Sequence, residues 1–274
     1  MNSSFPRPPA AARKPRRWPF ALVAFGILAS GCASAPAPRS ALPWSNARQV
    51  VVVVTPDWDA DHGTLGTYER IDGHWQLVGE RQPVTVGRNG SGWGLGLHPD
   101  PQTHAATGPI KHEGDGRSPA GVFGIGDAFG YAQHADTALP YDAMQDSHYC
   151  IDVDGSPLYN RIVDARSVGT AAVAGSTEPM RLDVHAAGDQ RYRLGFVIEQ
   201  NPQARRGAGS CIFAHLWKKP TESTAGCTAM DDPTMARLLG WLRPDRHPVF
   251  VLLPASEYAS LRDAWQLPTL ESVP

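Results

Sequence analysis

Several common protein classes are excluded by what this chain lacks. Its four cysteines contain no Cys-x-x-Cys pair and its ten histidines no His-Glu-x-x-His, so the usual zinc-site spacings are missing. Asp57, Asp59 and Asp61 alternate as calcium ligands do, but without the glycine and distal glutamate of an EF-hand loop. No apolar run reaches the roughly 20 residues of a membrane-spanning helix. There is no basic excess either: 25 Lys and Arg stand against 27 Asp and Glu. Five of the basic residues precede Cys32, and the rest of the chain is net acidic, the opposite of a nucleic-acid-binding footprint. No internal repeat is visible.

What is present begins with an acid-free N-terminus. Arg7, Arg13, Lys14, Arg16 and Arg17 precede the short apolar run PFALVAFGILAS. That layout predicts a secretory signal over residues 1–31. The run ends in Leu28-Ala-Ser-Gly-Cys32, which resembles a bacterial lipobox and makes Cys32 the expected lipidation site. Ordinary cleavage near Ala33 or Ala35 is the alternative. Arg16-Arg17 matches twin-arginine export poorly. Residues 32–48, rich in Ala, Ser and Pro, predict a flexible tether. The expected location is the periplasm, with a lipid anchor in the outer membrane. If Cys32 is lipidated and Cys227 is catalytic, Cys150 and Cys211 remain, and an oxidising compartment makes a disulfide between them the expectation.

A folded domain is predicted over residues 49–255, with residues 256–274 as a C-terminal tail. It opens with a β-branched run from Gln49 that stops at Pro56, as a buried strand does. Thr64–Ile71 and His74–Gly79 flank Asp72-Gly73, a strong hairpin signal. Val84–Val86, Tyr149–Val153, Arg191–Glu199, Cys211–Trp217 and Pro248–Leu253 are further strand candidates. Glycine recurs every few residues from Gly87 to Gly130, which suits turns and close backbone approaches. One helix stands out, Asp232–Leu242, with Asp231 or Asp232 as cap, Pro233 in its first turn and an apolar face of Met235, Leu238, Leu239 and Leu242. The fold class is mainly β, a sandwich or open barrel with a few short helices.

The candidate chemistry lies at Cys227. A catalytic cysteine needs a base and donors for the oxyanion formed on attack. His215 ends the apolar run SCIFAH, Gly226 permits a sharp turn that exposes the sulfur and its backbone N–H groups, and Trp217 is placed to wall a pocket. The following helix would bring a positive dipole end near the thiol. Against this, free cysteines are among the most buried residue types, and a twelve-residue separation proves no contact.

Ser210-Cys-Ile-Phe-Ala-His215 followed by Thr224-Ala-Gly-Cys227 resembles the active-site signature of the L,D-transpeptidase catalytic domain (YkuD) family. Lys111–Phe123 resembles that family's glycine-rich segment, and Tyr149–Asp154, Leu158–Arg161 and Tyr192–Asn201 resemble further segments of it. Together they run from about Val50 to Leu253. The resemblance implies a mostly β fold that cross-links peptidoglycan stem peptides, of diaminopimelate type, without a cofactor. It makes Cys227 the nucleophile, His215 the base, Gly226 the glycine before the nucleophile and Thr224 the Ser/Thr position; the residues themselves offer Gly226 and Cys227 as the oxyanion turn, and Thr224 and Trp217 are the expected substrate-side residues. Hydrolysis of the same thioester (an L,D-carboxypeptidase), or a non-catalytic peptidoglycan-binding envelope lipoprotein, are the alternatives.

The chain departs from the commoner signature in three ways. Ala225 stands where a histidine commonly precedes the glycine, the His215-to-Cys227 separation is shorter, and Thr228, Ala229 and Met230 replace the polar residue often found after the cysteine. His215 is thus the sole nearby base, and no residue is assigned to the substrate carboxylate. Lys218 and Lys219 read as a solvated pair. His98, His112, His134, His148 and His185 have no partner spacing and read as packed or solvated. Trp93 and its glycines either line a groove or turn a corner.

Overall fold

The computed structural model describes Met1, residues 41–101 and residues 107–270. The signal, Cys32 and the first part of the tether lie outside the described residues. No helix among the described residues is long and apolar enough to cross a membrane. The folded unit begins before the predicted tether ends. Trp44 is buried, its ring packs edge-on against Trp265 at 5.5 Å, and its indole N–H donates to the Trp265 carbonyl at 3.0 Å. Two tryptophans that bury each other hold residues 41–48 and the start of the predicted tail on the domain.

Strand β1 (Gln49–Thr55) is buried on both faces through Val50–Val53, which explains its unbroken apolar run. β2 (His62–Ile71) and β3 (His74–Thr85) form the expected hairpin. Asp72 and Gly73 both take positive φ, 50° and 83°, as a two-residue type I′ turn requires. The glycine-rich region supplies β4 (Ser91–Trp93) and the long β5 (Ser118–Gly130). β5 needs its glycines: at Gly121 φ is 139°, and a Cβ would lie 2.0 Å from the His98 ring.

An insertion follows, with β6 (Tyr141–Ala143), β7 (His148–Cys150), β8 (Ile162–Asp164), β9 (Glu178–Pro179) and the single-turn helices α1 (Ala165–Val168) and α2 (Leu182–His185). The strands β8-β7-β9 make a small separate sheet. β10 (Leu194–Ile198), β11 (Phe213–Leu216) and β12 (Thr228–Met230) complete the main sheet before α3 (Asp232–Trp241). Asp231 caps α3, accepting from Thr234 N–H at 2.9 Å, and Met235, Leu238 and Leu239 form its buried face. β13 (Val249–Pro254) pairs in parallel with β1, and α4 (Ala255–Leu261) packs on both.

The main sheet closes. Its order runs β10-β11-β12-β3-β2-β1-β13-β5, and β5 pairs again with β10, so eight strands form a barrel. β5 makes both ends of that joint, pairing with β13 through Gly121–Gly124 and with β10 through Ile125–Gly130. Closure leaves those strands no open edge between them. The mainly β class is as expected, but the architecture is a closed barrel, not a sandwich.

Candidate active site

The site is built where the insertion covers the barrel. A second apolar cluster there joins Phe129, Tyr192, Phe213 and Cys227 of the barrel side to Met144, Cys150, Met180 and Leu182 of the insertion. Cys150 and Cys211 form a disulfide, with Cα atoms 5.9 Å apart, that ties β7 to the loop before β11. Cys227 is the free cysteine among the described residues.

Parallel pairing of β11 with β12 sets the geometry. Ala214 lies opposite Thr228 and His215 opposite Ala229. One step earlier, Cys227 falls opposite Phe213, whose N–H donates to Cys227 Sγ at 3.4 Å. Side chains alternate along a strand, so Phe213, His215 and Cys227 emerge on the same face. His215 lies opposite Ala229, two positions beyond Cys227 on the neighbouring segment. The chain thus brings the two predicted residues together, with His215 inside a strand and not at its end.

They are not hydrogen-bonded to each other in this arrangement. The thiol donates to the Cys211 carbonyl at 3.6 Å, and His215 Nδ1–H donates to the Leu216 carbonyl at 2.7 Å. That second bond fixes the tautomer and leaves Nε2 as the basic nitrogen. Cys227 is 8% exposed and His215 3%. Burial, then the Glu178 charge, pushes the Cys227 thiol up to about 12. Burial lowers His215 to about 4. Both groups are therefore neutral near pH 7, a thiol and an imidazole rather than an ion pair.

The turn before the sulfur is clamped from two sides. Cys227 O accepts from Ser118 Oγ at 2.8 Å and from Thr224 Oγ1 at 2.7 Å. Gly226 takes φ 152°, and a Cβ there would press on the Arg117 carbonyl at 3.0 Å. Gly226 N–H donates to Thr224 Oγ1 at 3.0 Å, so this N–H holds the turn and is taken from the expected oxyanion role. The Thr224 hydroxyl is likewise occupied within the turn. Trp217 gives its indole N–H to Thr85 Oγ1 at 2.9 Å. The helix dipole is not at the thiol: β12 intervenes, and its extended chain carries the α3 terminus about 10 Å away, beyond the reach of an end effect.

Residues that local sequence did not single out complete the surroundings. The Tyr192 ring lies 5.3 Å from the His215 ring, and its hydroxyl donates to Glu178 Oε1 at 2.5 Å. Burial pushes the Glu178 carboxyl up to about 7. Ser210 Oγ donates to Glu113 Oε2 at 2.7 Å, and the Tyr159 hydroxyl donates to the same oxygen. Asn160 Oδ1 accepts from Cys211 N–H at 2.9 Å and steadies Cys211 at φ 56°. Lys218 is not merely solvated, since its Nζ lies 3.7 Å from Asp189. His98 and Trp93 are buried against each other and Trp265, which makes that region core. No pairwise signal in the chain predicts Glu178 with Tyr192; the insertion's fold makes that contact.

No family model, curated protein or solved structure matches the chain.

Proposed function

We propose that this protein is a cysteine acyltransferase of the L,D-transpeptidase type, acting on peptidoglycan stem peptides. The observation that carries the reading is the shared face of Cys227 and His215 on the parallel β11–β12 pair, behind a turn that only glycine fits. A second observation supports it. The separated stretches that resemble the family all reach this one place: Glu113 and Ser118, Tyr159 and Asn160, Tyr192, and Ser210 through Cys227. The Cys150–Cys211 disulfide fits export to an oxidising compartment, with residues 1–31 as the signal and Cys32 as the anchor.

In the proposed mechanism substrate entry brings the thiol onto His215 Nε2, which takes its proton. Sulfur attacks the carbonyl of the third stem residue, D-alanine leaves with a proton from the imidazolium, and a thioester remains on Cys227. An amine then gives a cross-link; water gives a trimmed stem. The neutral resting pair suits this order, because the thiolate is made only when substrate is present.

The test is mass spectrometry of stem tetrapeptide reactions and of a carbapenem-treated sample. A covalent adduct on Cys227 is expected, with turnover lost at least a thousandfold in Cys227→Ala and at least a hundredfold in His215→Ala, the scale of removing a nucleophile or a general base. Product masses then divide dimer from shortened stem. A Cys227→Ala protein that still processes tetrapeptides overturns the proposal.

A further inference from the structure

The wall of the barrel formed by β1 to β3 carries a cavity that shares no lining residue with the Cys227 site. Its volume is about 420 Å³, within the roughly 300–1,000 Å³ of small-molecule sites. Val52, Val54, Pro56, Ala255 and Leu270 give it apolar walls, and no Asp or Glu lines it. Strand register explains its floor. Val52 pairs with Gly66 of β2 and Val54 with Thr64. Between the pairs Leu65–Gln82 and Thr67–Val78 the β2–β3 ladder slips, so residues 79–81 stand opposite Gly66 alone. Side chains alternate along a strand, which puts Gly66, Tyr68 and Arg81 on the face of Val52 and Val54. A Cβ at Gly66 would lie 3.0 Å from the Tyr68 ring and 3.2 Å from its hydroxyl. The hydroxyl thus lies over Gly66, the residue that Arg81 faces across the ladder.

Both side chains end in unpartnered donors. Tyr68 is 2% exposed, and neither its Oη nor Arg81 Nη2, each shielded from solvent, meets a hydrogen-bond partner among the described residues. Arg81 forms no ion pair among them either. Burying a donor without an acceptor is costly, and burying part of an uncompensated guanidinium more so. His62, the other basic side chain of the lining, already has Asp61 at 3.1 Å.

We infer that this cavity binds a free aliphatic carboxylic acid, its carboxylate held by Arg81 and Tyr68 and its chain laid along Val52 and Val54. Two neighbouring donors match the two oxygens of a carboxylate, and one guanidinium balances its single charge, where a phosphate dianion would stay half-neutralised. The apolar walls suit a hydrocarbon chain. A peptide bearing the same terminal group fits less well. The backbone groups of β1 pair with β2 on one side and β13 on the other, which leaves a peptide's own amides without partners. The inference is independent of the acyl-transfer reading.

Calorimetric titration of the full chain with octanoate, octanol and trileucine, each below self-association, tests it. Octanoate is expected to bind about tenfold more tightly than octanol, the scale of one charge-assisted contact. Arg81→Met should abolish that preference, Arg81→Lys should keep part of it, and Tyr68→Phe should weaken octanoate about threefold. Without octanoate, Tyr68→Phe should unfold no lower than wild type, because the hydroxyl it loses has no protein partner. Octanoate should raise the unfolding midpoint of wild type more than that of Arg81→Met. Absent octanoate binding, equal binding of octanol, or an octanoate affinity unchanged in both Arg81→Met and Tyr68→Phe overturns the inference. Tighter binding of trileucine overturns the free acid in favour of a peptide terminus. The two positions are tested separately, so a folding failure in one variant leaves the other to decide.

Discussion

At the residue scale, burial governs the chemistry of this site. Glu178 and His215 are both displaced from their ordinary values by burial, each towards its neutral form. Their effects on stability oppose one another. Glu178 titrates near 7 in the folded chain and near 4.5 when unfolded, so its contribution is full below 4.5 and is lost as pH rises to 7. His215 titrates near 4 folded and 6.5 unfolded; its contribution is full above 6.5 and is lost as pH falls to 4. Wild type should therefore show a shallow pH dependence between these limits. Glu178→Gln should expose the histidine slope, with stability rising towards pH 6.5. His215→Asn should expose the opposite slope. Each swing is on the order of 3 kcal/mol, by the worth of a pKa unit, and urea unfolding at pH 4.5, 5.5 and 6.5 measures it. Parallel slopes in both variants would show that neither group is buried as described.

At the element scale, the decisive feature is one parallel strand pair fastened from both sides. The predicted strands over 211–217 and 191–199 appear, shortened to Phe213–Leu216 and Leu194–Ile198, because local chain pattern marks the apolar run and not its last hydrogen bond. The disulfide closes a 61-residue separation and holds Cys211, whose carbonyl receives the thiol. Loss of both its cysteines, in Cys150→Ser with Cys211→Ser, should destabilise the chain by about 2–5 kcal/mol. It should also lower tetrapeptide turnover by more than the unfolded fraction explains, because the insertion no longer holds Glu178 and the Cys211 carbonyl against the site. Calorimetry and single-turnover thioester formation on the same sample separate the two effects. Turnover that tracks only the folded fraction would make the disulfide a staple and nothing more.

At the scale of the whole molecule, the barrel is sealed by segments that sequence pattern placed outside it. Pro-rich composition reads residues 32–48 as a tether, yet Trp44 and Ala47 are buried; a run past position 255 reads as a tail, yet Tyr258 and Leu267 are buried. Tyr258 Oη donates to the Pro268 carbonyl at 2.7 Å, which pins that end down. Composition averages over a window and so misses a single tryptophan with a partner 221 positions away. Trp44→Ala should cost about 3–5 kcal/mol, as large core truncations do, and should lower the midpoint of thermal unfolding. A Trp44→Ala midpoint equal to wild type would return residues 41–48 to the tether.

Some of this protein was determined by the sequence itself, because the physics is local. Period-two patterning and the Asp-Gly turn set the β2–β3 hairpin, and capping and apolar spacing set α3. Cys227, His215 and Gly226 were legible as candidates for the same reason: each is a residue type with a distinct chemistry. Only the tertiary structure decided what those residues are in practice. Pairing of β11 with β12 put His215 and Cys227 on one buried face, and the fold of the insertion brought Glu178 and Tyr192 beside them and turned Arg191 and Lys218 to a common counter-ion. Those contacts join residues far apart in the chain, and their energies come from burial and charge, which no local pattern of residues encodes.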